Sequence, residues 1–165
     1  MKKILLILLL ISPTIFCQEN KIVEDTRTLK PMLIGNTTRE AFKDTNFAWW
    51  YNSKYTNYEV NKGRLASYIE KINDKTMKIV MGTWCSDSRR EVPRMLKILD
   101  MIGFPKEKVS IINVDRKKKG ISNEVDGLNI ELVPTFILYN GSTEIGRIIE
   151  TPEETLEKDL VRIVE

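Results

Sequence analysis

The sequence predicts an α/β fold in which helices cover both faces of a central mixed sheet. Short apolar runs over 78–82, 109–114 and 132–139 have the length of buried strands, and helical patterns separate them. Asn140-Gly141 then predicts a hairpin to a returning strand. Strands that alternate with helices and close with a hairpin are typical of a mixed sheet between helical layers.

Residues 1–17 have the shape of a secretory signal peptide. Lys2-Lys3 precedes an apolar run, residues 4–11, that is too short to span a bilayer. We therefore expect an exported protein, periplasmic or secreted. Cys17 is an alternative lipidation site, although Phe16 before it is not the small residue that such motifs prefer. Membrane association is expected only if Cys17 is lipidated.

Composition excludes several classes of function. Loss of the two leader lysines lowers the net charge from +3 to +1, and a nearly neutral protein is not built for general nucleic-acid binding. The basic run 116–119 is interpreted as a solvated turn. The chain has no histidine, which excludes Cys–His nucleophilic catalysis and Cys/His zinc sites. We expect no metal and no cofactor.

Residues 18–63 are predicted to form an N-terminal extension that is partly helical. Residues 19–36 favour extended or irregular chain, and Thr37-Thr38 can begin a helix. A dense aromatic segment spans residues 42–58. Four of its rings recur at helical spacing and share one face: Phe47, Tyr51, Tyr55 and Tyr58.

This aromatic segment allows two interpretations. It can pack against the core domain, as most large aromatic side chains do, or it can form an exposed platform beside a substrate groove. The sequence favours packing. Trp49 and Trp50 are adjacent and cannot face the same way on a helix, so we expect one of them to be exposed.

Residues 64–165 are predicted to form the core domain. A helix over 64–73 precedes the first strand, and an amphipathic helix over 91–101 follows it. Residues 120–130 are predicted to form a short helix and loop. The closing helix is predicted to begin at Thr151-Pro152, with threonine as the N-cap and proline at the first helical position.

The stretch Trp84-Cys85-Ser86-Asp87-Ser88 places a cysteine where the first strand becomes a helix. A thiol at a helix N-terminus faces unpaired N–H groups and the positive end of the macrodipole, and both favour the nucleophilic thiolate. If the leader is removed after Cys17, Cys85 is the last cysteine and cannot form an internal disulfide. An unpaired thiol in an oxidising compartment suggests a reactive or intermolecular role.

Three features together resemble the thioredoxin superfamily, and more narrowly the exported thioredoxin-like proteins with a Trp-Cys-x-Asp-Ser motif. They are Trp84-Cys85 at the junction, Pro93 inside the helix that follows, and Val133-Pro134-Thr135 before the Asn-Gly hairpin. The resemblance covers about residues 64–165 and implies a thioredoxin-like fold.

By this resemblance, Pro134 is a cis-proline that flanks Cys85. Val133 then offers its backbone to an extended substrate segment, as in β-augmentation. Trp84 and Thr135 complete the substrate-binding residues that the resemblance implies.

Two positions depart from the dithiol members of the superfamily. Ser88 stands where their second, resolving cysteine would be, and its hydroxyl cannot attack a mixed disulfide. Ser88 can still donate a hydrogen bond to the Cys85 thiolate, so we include it with Cys85 among the candidate catalytic residues. Ile79 stands where many thioredoxins carry a buried carboxylate, the group that serves the missing thiol.

Charged residues beside Cys85 are expected to tune the acidity of its thiol. Arg89 and Arg90 follow in the next turn and favour the thiolate, whereas Asp87 is nearer in sequence and opposes it. Asp87 can instead cap the exposed N–H groups of the helix. The sequence leaves open which of these effects dominates.

We therefore expect a monothiol thiol–disulfide oxidoreductase. Cys85 reacts, and an external thiol from a protein or a low-molecular-weight compound resolves the mixed disulfide. The alternative is a redox-silent thioredoxin-fold module that binds an extended peptide along the cis-proline edge. A third hypothesis is covalent capture of a partner cysteine by Cys85.

Overall fold

A computed structural model describes residues 19–165 and contains a six-stranded mixed sheet. The strands are β1 Lys21–Glu24, β2 Pro31–Thr37, β3 Thr76–Met81, β4 Val109–Asn113, β5 Thr135–Asn140 and β6 Thr143–Ile149. Their order across the sheet is β1-β2-β4-β3-β5-β6. Strands β3 and β4 run parallel, and the other neighbouring pairs are antiparallel. The predicted signal peptide and Cys17 lie outside the described residues.

Helices of several lengths connect these strands. The α-helices of the described chain are α1 Thr45–Asn57, α2 Lys62–Leu65, α3 Ile69–Asn73, α4 Ser86–Met101 and α5 Leu156–Val164. Short 3-10 helices span Arg39–Lys43, Ala66–Tyr68 and Lys106–Lys108. None of the helices within residues 19–165 is long and apolar enough to cross a membrane.

The N-terminal extension contributes two strands as well as helices. Strands β1 and β2 form an antiparallel hairpin, and β2 joins the main sheet through β4, with Gly35 opposite Asn113. Met32 and Leu33 of β2 are buried, so apolar packing stabilises the hairpin in addition to its backbone hydrogen bonds. Residues 19–36, predicted as extended or irregular chain, thus extend the central sheet beyond β4.

The main hydrophobic core lies between one face of the sheet and the helices. Ile111 of β4, Ile79 of β3 and Phe136 of β5 are adjacent across the sheet. All three are buried in this core. Buried residues of every α-helix named above belong to the same cluster, Leu96 and Leu160 among them. The predicted fold class is confirmed: the chain has a thioredoxin-like mixed sheet flanked by helices, with a helical, aromatic-rich N-terminal extension.

An irregular segment packs against the opposite face of the sheet. Val80, Ile112 and Val133 are buried on this face. Val125 and Leu128, from the connection between β4 and β5, pack against them.

The prediction of a short helix within residues 120–130 is wrong. The segment consists of bends and turns. Gly127 and Asn129 adopt positive φ angles of 73° and 51°, and a right-handed helix does not accommodate them. Its apolar side chains still reach the sheet, because burial does not require regular structure.

The closing helix begins at Leu156 and not at the predicted Thr151. Thr155 is its N-cap, and Thr155 Oγ1 accepts the Lys158 N–H at 3.2 Å. Glu150 has a φ of 61°, so the chain turns sharply immediately before the predicted start. A threonine does cap the helix, but it is Thr155 and not the predicted Thr151.

Two other elements begin later in the chain than predicted. The helix expected at Thr37-Thr38 is a 3-10 helix without a side-chain N-cap. The α-helix proper begins at Thr45, after Asp44, whose carboxylate caps it. The third predicted strand begins at Thr135 and not at Leu132, since the intervening proline has no N–H to donate to a ladder.

The aromatic segment 42–58 packs against the core domain, as the sequence favours. Phe42 and Trp50 are buried, and Tyr51 stacks on Phe42 with ring centroids 4.9 Å apart. Trp49 is 66% exposed. The two adjacent tryptophans therefore face different ways, as expected.

The same segment anchors α1 to the C-terminal end of α4. The Tyr55 hydroxyl donates to Asp100 Oδ2 at 2.6 Å, and Arg39 Nη1 pairs with the same carboxylate at 2.7 Å. Burial, reinforced by the bond to Asp100, raises the pKa of Tyr55 to about 12. Asp100 lies in the last turn of α4, whereas Cys85 precedes its first residue. The anchor is thus at the end of the helix remote from the thiol.

Candidate functional site

Cys85 lies at the junction between the β3 loop and α4. Its N–H donates to the Gly82 carbonyl at 2.9 Å, and its carbonyl accepts the Arg89 N–H at 3.1 Å. Cys85 is the N-cap residue, with φ −87° and ψ 131°, and its side chain caps no N–H group. The half-buried thiol therefore sits beside the positive end of a 16-residue helix dipole.

The loop before β5 brings Val133 against the thiol. The Val133–Pro134 peptide bond is cis, the form that the resemblance implies, and Cys85 Sγ donates to the Val133 carbonyl at 3.1 Å. Val133 and Pro134 are buried. Thr135 Oγ1 donates to the Leu132 carbonyl at 2.7 Å and closes the loop. The fold thus brings these predicted site residues together around one sulfur atom.

The predicted substrate edge at Val133 is occupied by the thiol. The Val133 carbonyl accepts the Sγ proton, and the residue is only 3% exposed. A thiolate has no proton to donate, so deprotonation of Cys85 releases this carbonyl. The exposed apolar side chains around the loop are Leu132, 43% exposed, and Ile149, 45% exposed and opposite Thr135 in the sheet.

The Trp84 indole is held by a hydrogen bond, by close packing at Gly82 and by a cation–π contact. Trp84 Nε1 donates to the Val114 carbonyl at 2.8 Å. A Cβ at Gly82 would lie 2.6 Å from two atoms of the indole, so only glycine allows this close packing. The Arg116 guanidinium also lies 4.8 Å from the centroid of the Trp84 ring, at cation–π distance.

Asp25, from the turn of the N-terminal hairpin, fixes that guanidinium. Arg116 Nε and Nη2 donate to the two oxygens of Asp25, each at 2.7 Å. Asp25 is 1% exposed and also accepts the Arg27 N–H and the Thr28 hydroxyl. The hydrogen bond from Arg116, supported by these two donors, holds the pKa of Asp25 well below its usual range despite burial.

Arg116 therefore departs from the predicted solvated turn. Its neighbours Lys117 and Lys119 are exposed, but Arg116 spans from Asp25 to Trp84. Hydrogen bonding to Asp25 raises the pKa of Arg116, so the guanidinium stays charged. The Asp25–Arg116–Trp84 series links the N-terminal hairpin to the residue before the thiol.

A second contact links the hairpin to the same loop. The Leu33 N–H of β2 donates to Thr83 Oγ1 at 3.0 Å. Thr83 is 2% exposed and lies two residues before Cys85. The N-terminal extension is thus part of the structure that positions the thiol.

Ser88 supports the loop and not the sulfur atom. It is fully buried, and Ser88 Oγ accepts the Gly82 N–H at 3.2 Å. Among the hydrogen bonds of the described residues, none joins Ser88 to Cys85. Ile79, at the position of the superfamily's buried carboxylate, is fully buried in the apolar core.

The charges beside Cys85 divide into paired and unpaired groups. Asp87 forms an ion pair with Arg90 at 2.7 Å, so it is not a free anion beside the thiol. Arg89 Nε donates to the Thr83 carbonyl. Burial lowers the pKa of Arg89, and the negative charge of a Cys85 thiolate opposes that shift. Within residues 19–165, no group of three or more metal-ligating side chains lies together.

Comparison with known proteins gives structural likeness only. No protein-family model matches the sequence, and no curated protein is significantly similar to it. Oxidised thioredoxin O2 from Arabidopsis thaliana is 20% identical over 63% of this chain and 90% of its own, with a TM-score of 0.41. Oxidised mitochondrial thioredoxin 3 from Saccharomyces cerevisiae is 24% identical over 66% and 98%, also at 0.41.

A third similar chain comes from a structure on the thiol resolving mechanism in yeast mitochondrial 1-Cys peroxiredoxin via glutathione/thioredoxin systems. It is 22% identical over 67% of this chain and 95% of its own, with a TM-score of 0.39. The likeness is one of fold. What the site does follows from its own residues.

Sequence reasoning missed Asp25, Arg116 and Thr83. Asp25 and Arg116 are 91 positions apart, and neither belongs to a local motif. The one available signal was that Arg116 directly follows Asp115 at the end of a predicted strand, an edge where site residues collect in α/β sheets.

Proposed function

We propose that this chain is a monothiol thiol–disulfide exchange protein with Cys85 as its nucleophile. The observation that carries the proposal is the position of Cys85 Sγ, at the N-terminus of α4 and 3.1 Å from the Val133 carbonyl of the cis-proline loop. A thiol in this position is held beside a helix dipole that stabilises its thiolate. The same loop supplies backbone beside the sulfur for a substrate.

The exchange has two steps. The Cys85 thiolate attacks one sulfur of a substrate disulfide, so that a Cys85–substrate disulfide forms and the second substrate thiolate leaves with the electron pair of the broken bond. An external thiolate then attacks the mixed disulfide and restores the Cys85 thiolate. The external thiol ends in a disulfide with the other substrate sulfur, so one sulfur of the substrate disulfide is reduced to a thiol, and protons are exchanged with water.

An external thiol is required because the site holds one cysteine. Cys85 is the one cysteine among residues 19–165. The buried Ser88 hydroxyl accepts the Gly82 N–H, and a hydroxyl cannot form a disulfide. The reductant is a protein thiol or a low-molecular-weight thiol. Because residues 1–17 are predicted to be a signal peptide, the proposed exchange takes place outside the cytoplasm, in the periplasm or after secretion. Membrane attachment is proposed only if Cys17 is lipidated.

A redox-silent binding module is the second candidate. It is favoured by the exposed apolar side chains of Leu132 and Ile149 beside the cis-proline loop. An extended peptide lying across them would bury apolar surface without any reaction at the sulfur.

The test is formation and release of a mixed disulfide. The purified protein without residues 1–17, which lacks Cys17, is treated with oxidised glutathione, and intact mass is measured before and after addition of a second thiol. We expect one adduct on Cys85, its loss when thiol is added, and no adduct with Cys85→Ser. A native protein that forms no adduct, while Cys85→Ser retains binding of an extended peptide, would instead support the binding module.

A further inference from the structure

Arg89 differs from the other arginines of the described chain. Six arginines form ion pairs with carboxylates: Arg39, Arg90, Arg94, Arg116, Arg147 and Arg162. Arg27 and Arg64 form none and are exposed to water. Arg89 also lacks a carboxylate partner within residues 19–165, but it is half-buried. A guanidinium withdrawn from water without an acid to compensate it is unusual, and such groups concentrate at functional sites.

Arg89 lies on the same side of α4 as the thiol. It is four residues after Cys85, and its N–H donates to the Cys85 carbonyl; residues at this spacing are neighbours on a helix surface. Its Nε donates to the Thr83 carbonyl, in the loop before the thiol. The two Nη groups have no hydrogen-bond partner among residues 19–165. The side chain is thus fixed at Nε, and the four N–H groups of its two Nη nitrogens are left.

The other charges around the sulfur are already compensated. Arg116 Nε and Nη2 donate to the two oxygens of Asp25, and Asp87 is paired with Arg90. Arg89 experiences the charges of Cys85, Arg116 and Asp25, and burial lowers its pKa. One positive charge without a carboxylate partner therefore remains in the helical turn that follows the thiol.

We propose that Arg89 selects disulfides that carry a carboxylate close to the reacting sulfur. A guanidinium binds a carboxylate through two parallel N–H···O bonds, and the two Nη nitrogens of Arg89 are available for this. The ligand class is a low-molecular-weight disulfide with an acidic group. This inference rests on the proposed exchange at Cys85 and assigns the substrate class of that site.

A matched series of small disulfides tests the selection. Dithiodipropionate, hydroxyethyl disulfide and cystamine share a two-carbon arm and end in an anion, a neutral group and a cation. The rate of mixed-disulfide formation with Cys85 is measured for each and divided by the rate for a free small thiol, which removes their different intrinsic reactivities. We expect the native protein to favour the anion over the neutral compound, and the neutral compound over the cation.

Substitution of Arg89 separates selection from thiol activation. In Arg89→Gln, we expect the anion-to-neutral ratio to fall roughly tenfold, because a charged hydrogen bond is lost for one substrate only. Arg89→Lys should restore part of the ratio, since it keeps the charge but not the bidentate geometry. Arg64→Gln removes one exposed charge from α2 and should leave the ratio unchanged.

Three results would overturn the inference. Equal normalised rates for the three disulfides in the native protein would show that no anion is selected, while exchange at Cys85 would stand. A uniform fall in all three rates in Arg89→Gln would assign the residue to thiol activation alone. Absence of reaction with any of the disulfides would overturn the proposed exchange function and, with it, the selection.

Discussion

At the scale of single residues, the site depends on close packing at Gly82 and on a buried hydroxyl at Ser88. Gly82 leaves room for the Trp84 indole, and its N–H is satisfied by Ser88 Oγ. Ser88 thus acts as a structural partner of the loop at the position where a dithiol protein has its second cysteine.

Gly82→Ala should displace the Trp84 indole. The new Cβ would lie 2.6 Å from the ring, so we expect a loss of about 1–3 kcal/mol in the free energy of unfolding and a changed tryptophan emission spectrum. Urea unfolding measures the first effect. Gly63→Ala is the control, because a Cβ there meets only one atom, at 3.6 Å. Equal stability of the two variants would contradict the packing described.

Ser88→Cys should convert the site to internal resolution. The new thiol would lie one helical turn from Cys85, a separation that a disulfide can bridge. We expect the glutathione adduct of this variant to disappear without added thiol, as an internal disulfide forms. Ser86→Cys is the matched control, since adjacent helical residues do not face each other. An adduct that persists in Ser88→Cys would show that position 88 cannot reach the sulfur.

At the scale of elements, the N-terminal hairpin and α4 both contribute to the position of the thiol. The hairpin holds Arg116 through Asp25 and Thr83 through Leu33. Helix α4 carries the thiol at one end and the anchor of α1 at the other. Changes in the hairpin should therefore affect the site, whereas changes in the α1 anchor should affect stability alone.

Asp25→Asn should make the protein less stable at neutral pH and less sensitive to acid. The folded-state pKa of Asp25 lies below its ordinary value of 3.8, so its contribution to stability is present above that value and is lost as pH falls below it. We expect a loss of roughly 2 kcal/mol at pH 7 and a smaller decrease of stability below pH 4. Urea unfolding at several pH values measures both. An unchanged acid dependence would contradict the assigned role of Asp25.

Tyr55→Phe should reduce stability without changing the chemistry at Cys85. The variant loses the 2.6 Å hydrogen bond to Asp100, and we expect a cost of about 1–2 kcal/mol in thermal or urea unfolding. The rate of mixed-disulfide formation should match that of the native protein, because the anchor is at the far end of α4. A slowed reaction with unchanged stability would instead connect the aromatic segment to the site.

At the scale of the whole molecule, the sequence predicted the order of the core elements well because their signals are local. The apolar runs of β3, β4 and β5 and the Asn140-Gly141 hairpin depend on neighbouring residues only. The position of Cys85 before α4 was predictable for the same reason. Its contact with Val133 followed from the resemblance, not from periodicity.

What the sequence could not predict depends on tertiary contacts. The pairing of Asp25 with Arg116 joins residues 91 positions apart, and no pattern in either segment marks it. The segment 120–130 was predicted to include a short helix, but left-handed residues such as Gly127 and Asn129 let it pack on the sheet as an irregular chain. The closing helix does not begin at the predicted Thr151, because residues 151–155 form bends and irregular chain before Thr155 caps it.

The most direct test of the proposed exchange is turnover of a neutral disulfide by an external thiol. Reduction of hydroxyethyl disulfide is followed at increasing glutathione concentration for the native protein and for Cys85→Ser. We predict that the native rate rises with glutathione, since resolution by the external thiol completes each cycle, and that Cys85→Ser gives only the uncatalysed rate. Equal rates for the two proteins would contradict a catalytic role for Cys85.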